Sequence, residues 1–252
     1  MANKLIYPAG GTPACQYAAE ILYKEGIPIV DNPTPEVTHL LLDVPSFDPE
    51  GNLRGGGDVM QLLQMLPPEI AVIGGNLQHP ALEGYQVLDF LRDEPFLARN
   101  AAITAHCALK AAGERMTAIF ADTPILIIGW GRIGKCLARL LRALDARVTV
   151  AARKETDRAC LESLGYRTAE PSSLKNTAPS WRVVFNTAPE PVVDAKTLAL
   201  WKNCLKIELA SRSGLEGQDV VIARGLPGRY APESSGELIA RSVIRKLKEE
   251  IS

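Results

Sequence analysis

Histidine, paired cysteine and an excess of charge of either sign are all scarce in this 252-residue sequence, and each shortage excludes something. The five cysteines, Cys15, Cys107, Cys136, Cys160 and Cys204, are odd in number and widely scattered. They form no CxxC pair and no cluster with histidine, which argues against a disulfide scaffold and against structural zinc, and for a reducing compartment. Lys plus Arg (28) nearly balances Asp plus Glu (29), so no global field draws the chain to nucleic acid or to anionic lipid. No window approaches the roughly 18 apolar residues of a membrane span. The start, Met1-Ala2-Asn3-Lys4-Leu5, runs into a strand-like segment without an apolar leader core, so a cytoplasmic, unprocessed protein is expected. The three histidines are His39, His79 and His106, and none follows His106.

What the sequence has is alternation. Short β-branched runs at Lys4–Tyr7, Ile27–Val30, Val37–Val44, Ile70–Ile73 and Val87–Phe90 are separated by helical patterns, among them 13–24 and 58–66. This predicts an α/β fold of two domains. A smaller flavodoxin-like unit covers residues 1–100, an alanine-rich interdomain helix 101–120, a Rossmann dinucleotide-binding domain 121–232, and a C-terminal helix 233–252 packs back on the first domain. In the small unit, Gly10-Gly11 lacks the third glycine of a phosphate loop and reads as an ordinary strand-to-helix turn. Pro45 and Ser46 open a turn-rich loop beyond a strand end. They are either substrate contacts or plain surface.

The large unit turns on Ile125-Leu126-Ile127-Ile128-Gly129-Trp130-Gly131-Arg132-Ile133-Gly134. A bare Gly-x-Gly-x-x-Gly is a weak signal, but here a buried strand precedes it and an amphipathic helix follows. Gly129 makes the tight turn, Gly131 lets backbone approach a pyrophosphate, and Gly134 lets the helix pack on the strand. Ile133, Leu137, Leu140, Leu141 and Leu144 fall on one helix face and are expected in the core. NAD enzymes place an acid about 20 residues beyond the loop to hold the ribose 2′-hydroxyl. This chain has Ala152, Arg153 and Lys154 there instead, Arg153 standing 24 residues beyond Gly129. A guanidinium suits a 2′-phosphate, so NADP is expected, with NAD the alternative. Asn186-Thr187-Ala188-Pro189 ends a later strand and is a candidate cradle for the ribose or nicotinamide.

Several stretches together resemble the A-subunit family of dipicolinate synthases, within the wider hydroxyacid-dehydrogenase-like Rossmann proteins. They are Ile128–Gly134, Ala151-Ala152-Arg153-Lys154, Asn186–Pro189, Leu209-Ala210-Ser211-Arg212-Ser213-Gly214, and Gly225-Leu226-Pro227-Gly228-Arg229-Tyr230-Ala231-Pro232. The last two are the more specific, and the similarity is stronger after residue 88 than before it. The resemblance implies NADP-dependent oxidation of a dihydrodipicolinate-type ring to the pyridine dicarboxylate during spore formation. It also implies a partner, a flavoprotein-like B subunit; a homo-oligomer is expected besides. A dicarboxylate substrate needs cationic and backbone donors, and Ser211, Arg212 and the Leu226-Pro227-Gly228-Arg229 loop are the candidates. Where the family pattern has Thr-Ala-Glu-Gly, this chain has Thr104-Ala105-His106-Cys107. Thr104 and His106 are therefore the catalytic candidates, His106 as an acid or base in place of the glutamate.

Two other readings stand beside this one. A D-2-hydroxyacid dehydrogenase would suit both loops, but those enzymes use a histidine late in the nucleotide domain. A cofactor-binding regulatory or scaffold subunit without turnover of its own would suit the change at His106.

Overall fold

The computed structural model describes residues 4–175, 181–215, 217 and 219–249. In chain order the first elements are β1 (Ile6–Pro8), α1 (Pro13–Lys24), β2 (His39–Leu41), α2 (Val59–Gln64), β3 (Ala71–Gly74), β4 (Gln86–Asp89) and α3 (Glu94–Gly113). There follow β5 (Pro124–Ile128), α4 (Arg132–Ala143), β6 (Arg147–Ala151), α5 (Glu155–Ser163), β7 (Arg167–Ala169) and β8 (Val183–Asn186). The chain closes with α6 (Ala195–Leu200), β9 (Leu205–Glu208), β10 (Val220–Ile222), α7 (Leu226–Tyr230) and α8 (Pro232–Glu249). Two compact units result, residues 1–100 with 227–252 and residues 101–226. Among the described residues, no helix is long and apolar enough to cross a membrane.

In the first unit β1, β2, β3 and β4 lie parallel in that order. The strand expected over Ile27–Val30 shrinks to a single bridge, Ile29 beside Ile6. Ile6 N donates to Pro28 O, and Val30 N to Ile6 O, both at 3.0 Å. Pro28 has no N–H to extend a ladder, and Pro33 lies a few residues on. That bridge still occupies the outer side of β1. Counted as the second strand, it gives the 2-1-3-4-5 order of flavodoxin-like sheets. Thr12 caps α1, with Pro13 at its first position, and Asp58 caps α2. α8 buries Leu238, Ile239, Ser242, Val243 and Leu247. Gly236 lets it lie close on α1, because a Cβ there would come within 2.5 Å of Tyr17 Cβ and 2.8 Å of the Ala14 carbonyl oxygen.

A helix is expected over residues 101–120, and α3 occupies Glu94–Gly113 instead. Its start is fixed by Asp93, whose Oδ2 accepts from Phe96 N at 2.9 Å. Gly113 is the last helical residue, and the β-branched Thr117 and Ile119 beyond it are poor helix formers.

The second unit is a six-stranded parallel sheet ordered β10-β9-β8-β5-β6-β7. Counted from β5 as the first strand, this is the doubly wound arrangement, in which the strand order reverses between β5 and β8. β5 is buried on both faces, Ile125 to Ile128 being at most 1% exposed, which is why it reads as an unbroken apolar run. Leu126, Ile128, Val184, Val193, Leu198 and Trp201 belong to one core cluster. On α4, Leu137 and Leu141 are buried as their spacing suggests, Ile133 and Leu140 are only half-buried, and Leu144 is exposed. The helix ends at Ala143, so Leu144 leaves the apolar face as the cap. β7, a three-residue edge strand, has no counterpart in the sequence pattern.

Candidate functional site

Where the order of a doubly wound sheet reverses, the loops leaving two neighbouring strands run in opposite directions and open a crevice at their carboxyl ends. Here those loops are Gly129–Gly131 after β5 and Thr187–Pro189 after β8. They line a cavity of about 570 Å³. Gly129 adopts φ +103°, and a Cβ on it would meet Thr187 Oγ1 at 2.6 Å. Thr187 ties the two loops together. Its N–H donates to Ile128 O at 2.8 Å and its hydroxyl to the same oxygen at 2.9 Å. A Cβ on Gly134 would run into the Gly129 carbonyl oxygen, so the third glycine is required by the fold itself. Gly131 differs, since a Cβ there would project into open space. The N-terminus of α4 follows it with no side-chain cap, leaving the first-turn donors and the positive end of the helix dipole available to an anion. A glycine that nothing in the protein crowds, before an uncapped helix, fits a pyrophosphate.

Trp130 is half-buried, with its ring 6.1 Å from Tyr166 and Lys135 Nζ 5.7 Å from its centroid. Arg132 is exposed and Ile133 half-buried, and neither lines the cavity. The far wall comes from the end of β6. Ala152 is buried, while Arg153 and Lys154 are exposed on the rim. Arg158 of α5 donates 2.8 Å hydrogen bonds to the carbonyls of Ala152 and Arg153, fixing that backbone. No carboxylate follows the strand directly. Instead Glu190, from the β8 loop, forms an ion pair with Arg153 at 2.7 Å. Glu190 is not among the residues the sequence singles out, because nothing local says that it faces β6.

Asn186 is fully buried and lies outside the cavity wall. Its neighbour across the parallel pair is Glu208 on β9, also 0% exposed. Asn186 Nδ2 donates to both Glu208 carboxylate oxygens, at 2.9 and 2.8 Å, and to the Ala188 carbonyl at 3.0 Å, while its Oδ1 accepts from Ala188 N. Glu208 also accepts from Ala210 N, Gly214 N and Leu215 N at 2.8 to 2.9 Å. One buried carboxylate therefore shapes both the 186–190 loop and the 209–215 loop. The signal was in the sequence: a strand reading Leu205-Lys206-Ile207-Glu208 puts two charges into an apolar run, and both must find partners. Lys206, 1% exposed, finds Asp219.

The other candidates are placed as follows. Ser211 and Arg212 are exposed on the loop that Glu208 holds. Leu226 is buried, Pro227 half-buried, and Gly228 and Arg229 exposed, the Arg229 guanidinium lying 5.2 Å from the Tyr230 ring centroid. On α3, Thr104 is half-buried and His106 exposed. His39 is buried with Nδ1 2.8 Å from Thr38 Oγ1. His79 stacks on Phe47 and caps a short turn. Ser46 is 1% exposed, donating to the Asp43 carbonyl and accepting from Gly75 N, so it braces the strand ends. The Gly10-Gly11 turn is already satisfied by an anion, since Gly11 N, Thr12 N and the Thr12 hydroxyl all donate to the Asp43 carboxylate. Burial and the adjacent Asp43 charge push the Cys15 thiol up to about 12, leaving it inert at neutral pH.

The sequence profile of the D-isomer specific 2-hydroxyacid dehydrogenase NAD binding domain matches residues 110–223. The A polypeptide of dipicolinate synthase from Bacillus subtilis (strain 168) is 31% identical over 136 residues, 50% of this chain and 46% of that protein. The chain is similar to this dipicolinate synthase component. The matched stretch spans about half the length of this curated relative. Two crystal structures of the same component share the fold. The one from Bacillus halodurans has a TM-score of 0.83 at 19% identity, covering 97% of this chain and 98% of that chain. The one from Bacillus subtilis has a TM-score of 0.79 at 20% identity, covering 100% and 97%. The profile match and the cavity geometry support a nicotinamide dinucleotide as cofactor and a dehydrogenase-type fold.

Proposed function

We propose that the chain is an NADP-dependent oxidoreductase that converts a dihydrodipicolinate-type ring to dipicolinate in the cytoplasm, together with a partner subunit. The observation that carries this reading is the cavity at the sheet reversal. The uncrowded Gly131 lines it, and Arg153 and Lys154 line it where an NAD enzyme has an acid. The N–H groups of the Gly129-Trp130-Gly131 loop face the pyrophosphate, and the uncapped start of α4 at Arg132-Ile133-Gly134 adds its helix dipole from behind the wall. Arg153 and Lys154 hold the 2′-phosphate, and Thr187-Ala188-Pro189, set in place by Asn186, lie against the ribose and nicotinamide. When bound, the nicotinamide would supply the acceptor for a hydride from a ring carbon, and the chain's own groups would take the proton whose loss completes the aromatic ring. Ser211, Arg212 and the Leu226-Pro227-Gly228-Arg229 segment are the substrate-side residues of this reading, their arginines and N–H groups being the donors a carboxylate needs. Thr104 and His106 place the substrate or move the proton, with His106 serving where the family has an acid.

The test is Arg153→Ala. NADPH affinity is expected to fall roughly tenfold, as for loss of a charge-assisted contact on a solvated rim, with NADH affinity unchanged. Unchanged NADPH affinity overturns the cofactor assignment. Turnover of enzymatically generated dihydrodipicolinate, with and without a B subunit, tests the reaction. Tight NADPH binding with no turnover in either mixture supports the second reading, a regulatory or scaffold subunit, which His106 in place of the acid favours.

A further inference from the structure

The Arg153–Glu190 pair joins two walls of the dinucleotide cavity. Arg153 follows β6 and Glu190 lies in the loop after β8, so the pair spans the rim at a distance of 2.7 Å. The side chains are 79% and 63% exposed, which makes the pair weak, since solvated ion pairs contribute about 0 to 1 kcal/mol. A weak pair is easily exchanged. The other charges on the rim are Lys154, Lys175 and Asp157, so Glu190 is one of two carboxylates set against three cations. Arg158 holds the Arg153 carbonyl at 2.8 Å, so an exchange of partner falls to the exposed Arg153 side chain.

We propose that Glu190 is a specificity-determining residue, which sets the preference between NADP and NAD by competing with the 2′-phosphate for Arg153. This rests on the reading of Arg153 as the 2′-phosphate ligand. With a 2′-hydroxyl in the cavity, Arg153 stays with Glu190 and the pair is neutral. With a 2′-phosphate, Arg153 changes partner, and the exposed Glu190 carboxylate is left unpaired near a dianion. Glu190 therefore weakens NADP binding and leaves NAD binding nearly untouched. Discrimination of this kind works through an unfavourable element as well as an attractive one.

The experiment titrates NADPH and NADH into the full chain and into Glu190→Gln, Arg153→Ala and the double variant, following nucleotide fluorescence. Glu190→Gln keeps the side chain's shape and removes its charge. It is expected to tighten NADPH roughly three- to fivefold, the upper range of an exposed ion pair, while NADH stays within about twofold. In the Arg153→Ala background, the same change is expected to shift NADPH by less than about twofold, because the competition has lost its object. An equal gain for NADPH and NADH overturns the proposal, as does an equal NADPH gain with and without Arg153. If Arg153→Ala loses NADPH and Glu190→Gln changes nothing, Glu190 has no role and the cofactor assignment stands. If neither variant moves NADPH affinity, the cofactor assignment fails first and this inference with it.

Discussion

At the scale of single residues, the buried charges carry more of the site than the exposed ones. Glu208 has no exposed surface, and its two oxygens accept from Asn186 and from three backbone N–H groups. A neutral isostere keeps the volume but has one accepting oxygen, and it turns an NH₂ toward groups that are themselves donors. Glu208→Gln is therefore expected to destabilise the protein by about 2 to 4 kcal/mol in urea titrations, as for a broken buried polar network. Dinucleotide affinity is expected to fall with it, because Asn186 and the 186–190 loop lose their brace. A variant as stable as the parent refutes the role. Of the candidate residues, those whose chemistry is local were legible in the sequence, such as Gly129 in its turn and Arg153 at a strand end. Glu190 and Asp43 were not, and Glu208 showed only as a charge in an apolar strand, because the partners of all three depend on which strands become neighbours.

At the scale of elements, the three glycines of the loop separate a folding role from a binding one. At Gly134 a Cβ would strike backbone of the preceding turn, so Gly134→Ala forces α4 off β5. A cost of about 1 to 3 kcal/mol is expected, along with lost dinucleotide binding. Gly131 has φ −81°, a conformation any residue adopts, and open space beside it. Gly131→Ala is expected to leave the melting temperature within about 2 °C, since exposed substitutions change stability by no more than about 0.5 kcal/mol. It should nevertheless weaken NADPH and NADH alike, as the methyl group occupies the pyrophosphate's space. Equal effects of the two alanines on stability contradict this division. The elements read well from sequence are those whose signals agree: β5, its glycine turn, α4 and β6 combine an apolar run, a required turn and a helix face. Where a signal stood alone, the boundary moved. Ile27–Val30 had β-branched residues but a proline inside, and the alanine-rich stretch to Phe120 had propensity but a glycine part-way.

At the scale of the whole molecule, the alternation of strands and helices was enough to give two parallel α/β units. The sequence leads one to expect a last helix on the first unit, but the polar contacts that hold it there were not written in any local pattern. Asp93 is the centre of one such junction in the first unit. It caps α3 through Phe96 N, pairs with Arg245 of α8 at 2.6 Å, and has Lys246 Nζ at 3.8 Å. Burial alone would raise its pKa. The Arg245 hydrogen bond, the Phe96 N–H and the charges of Arg245 and Lys246 outweigh that and hold it below the ordinary aspartate value. The unfolded chain therefore takes up this proton at higher pH than the folded one, and the stabilisation is present above the unfolded value of about 3.9. It is lost as pH falls through the lower, folded value. Asp93→Asn isolates the charge, because asparagine caps a helix about as well as aspartate. At pH 7 the variant is expected to be less stable by about 1 to 2 kcal/mol, a figure reduced for the partial exposure of Arg245. As pH falls below 4 the parent loses this advantage and the two urea midpoints converge. A difference that stays constant from pH 7 down to acid unfolding means that the cap geometry, and not the ion pair, joins α8 to the start of α3.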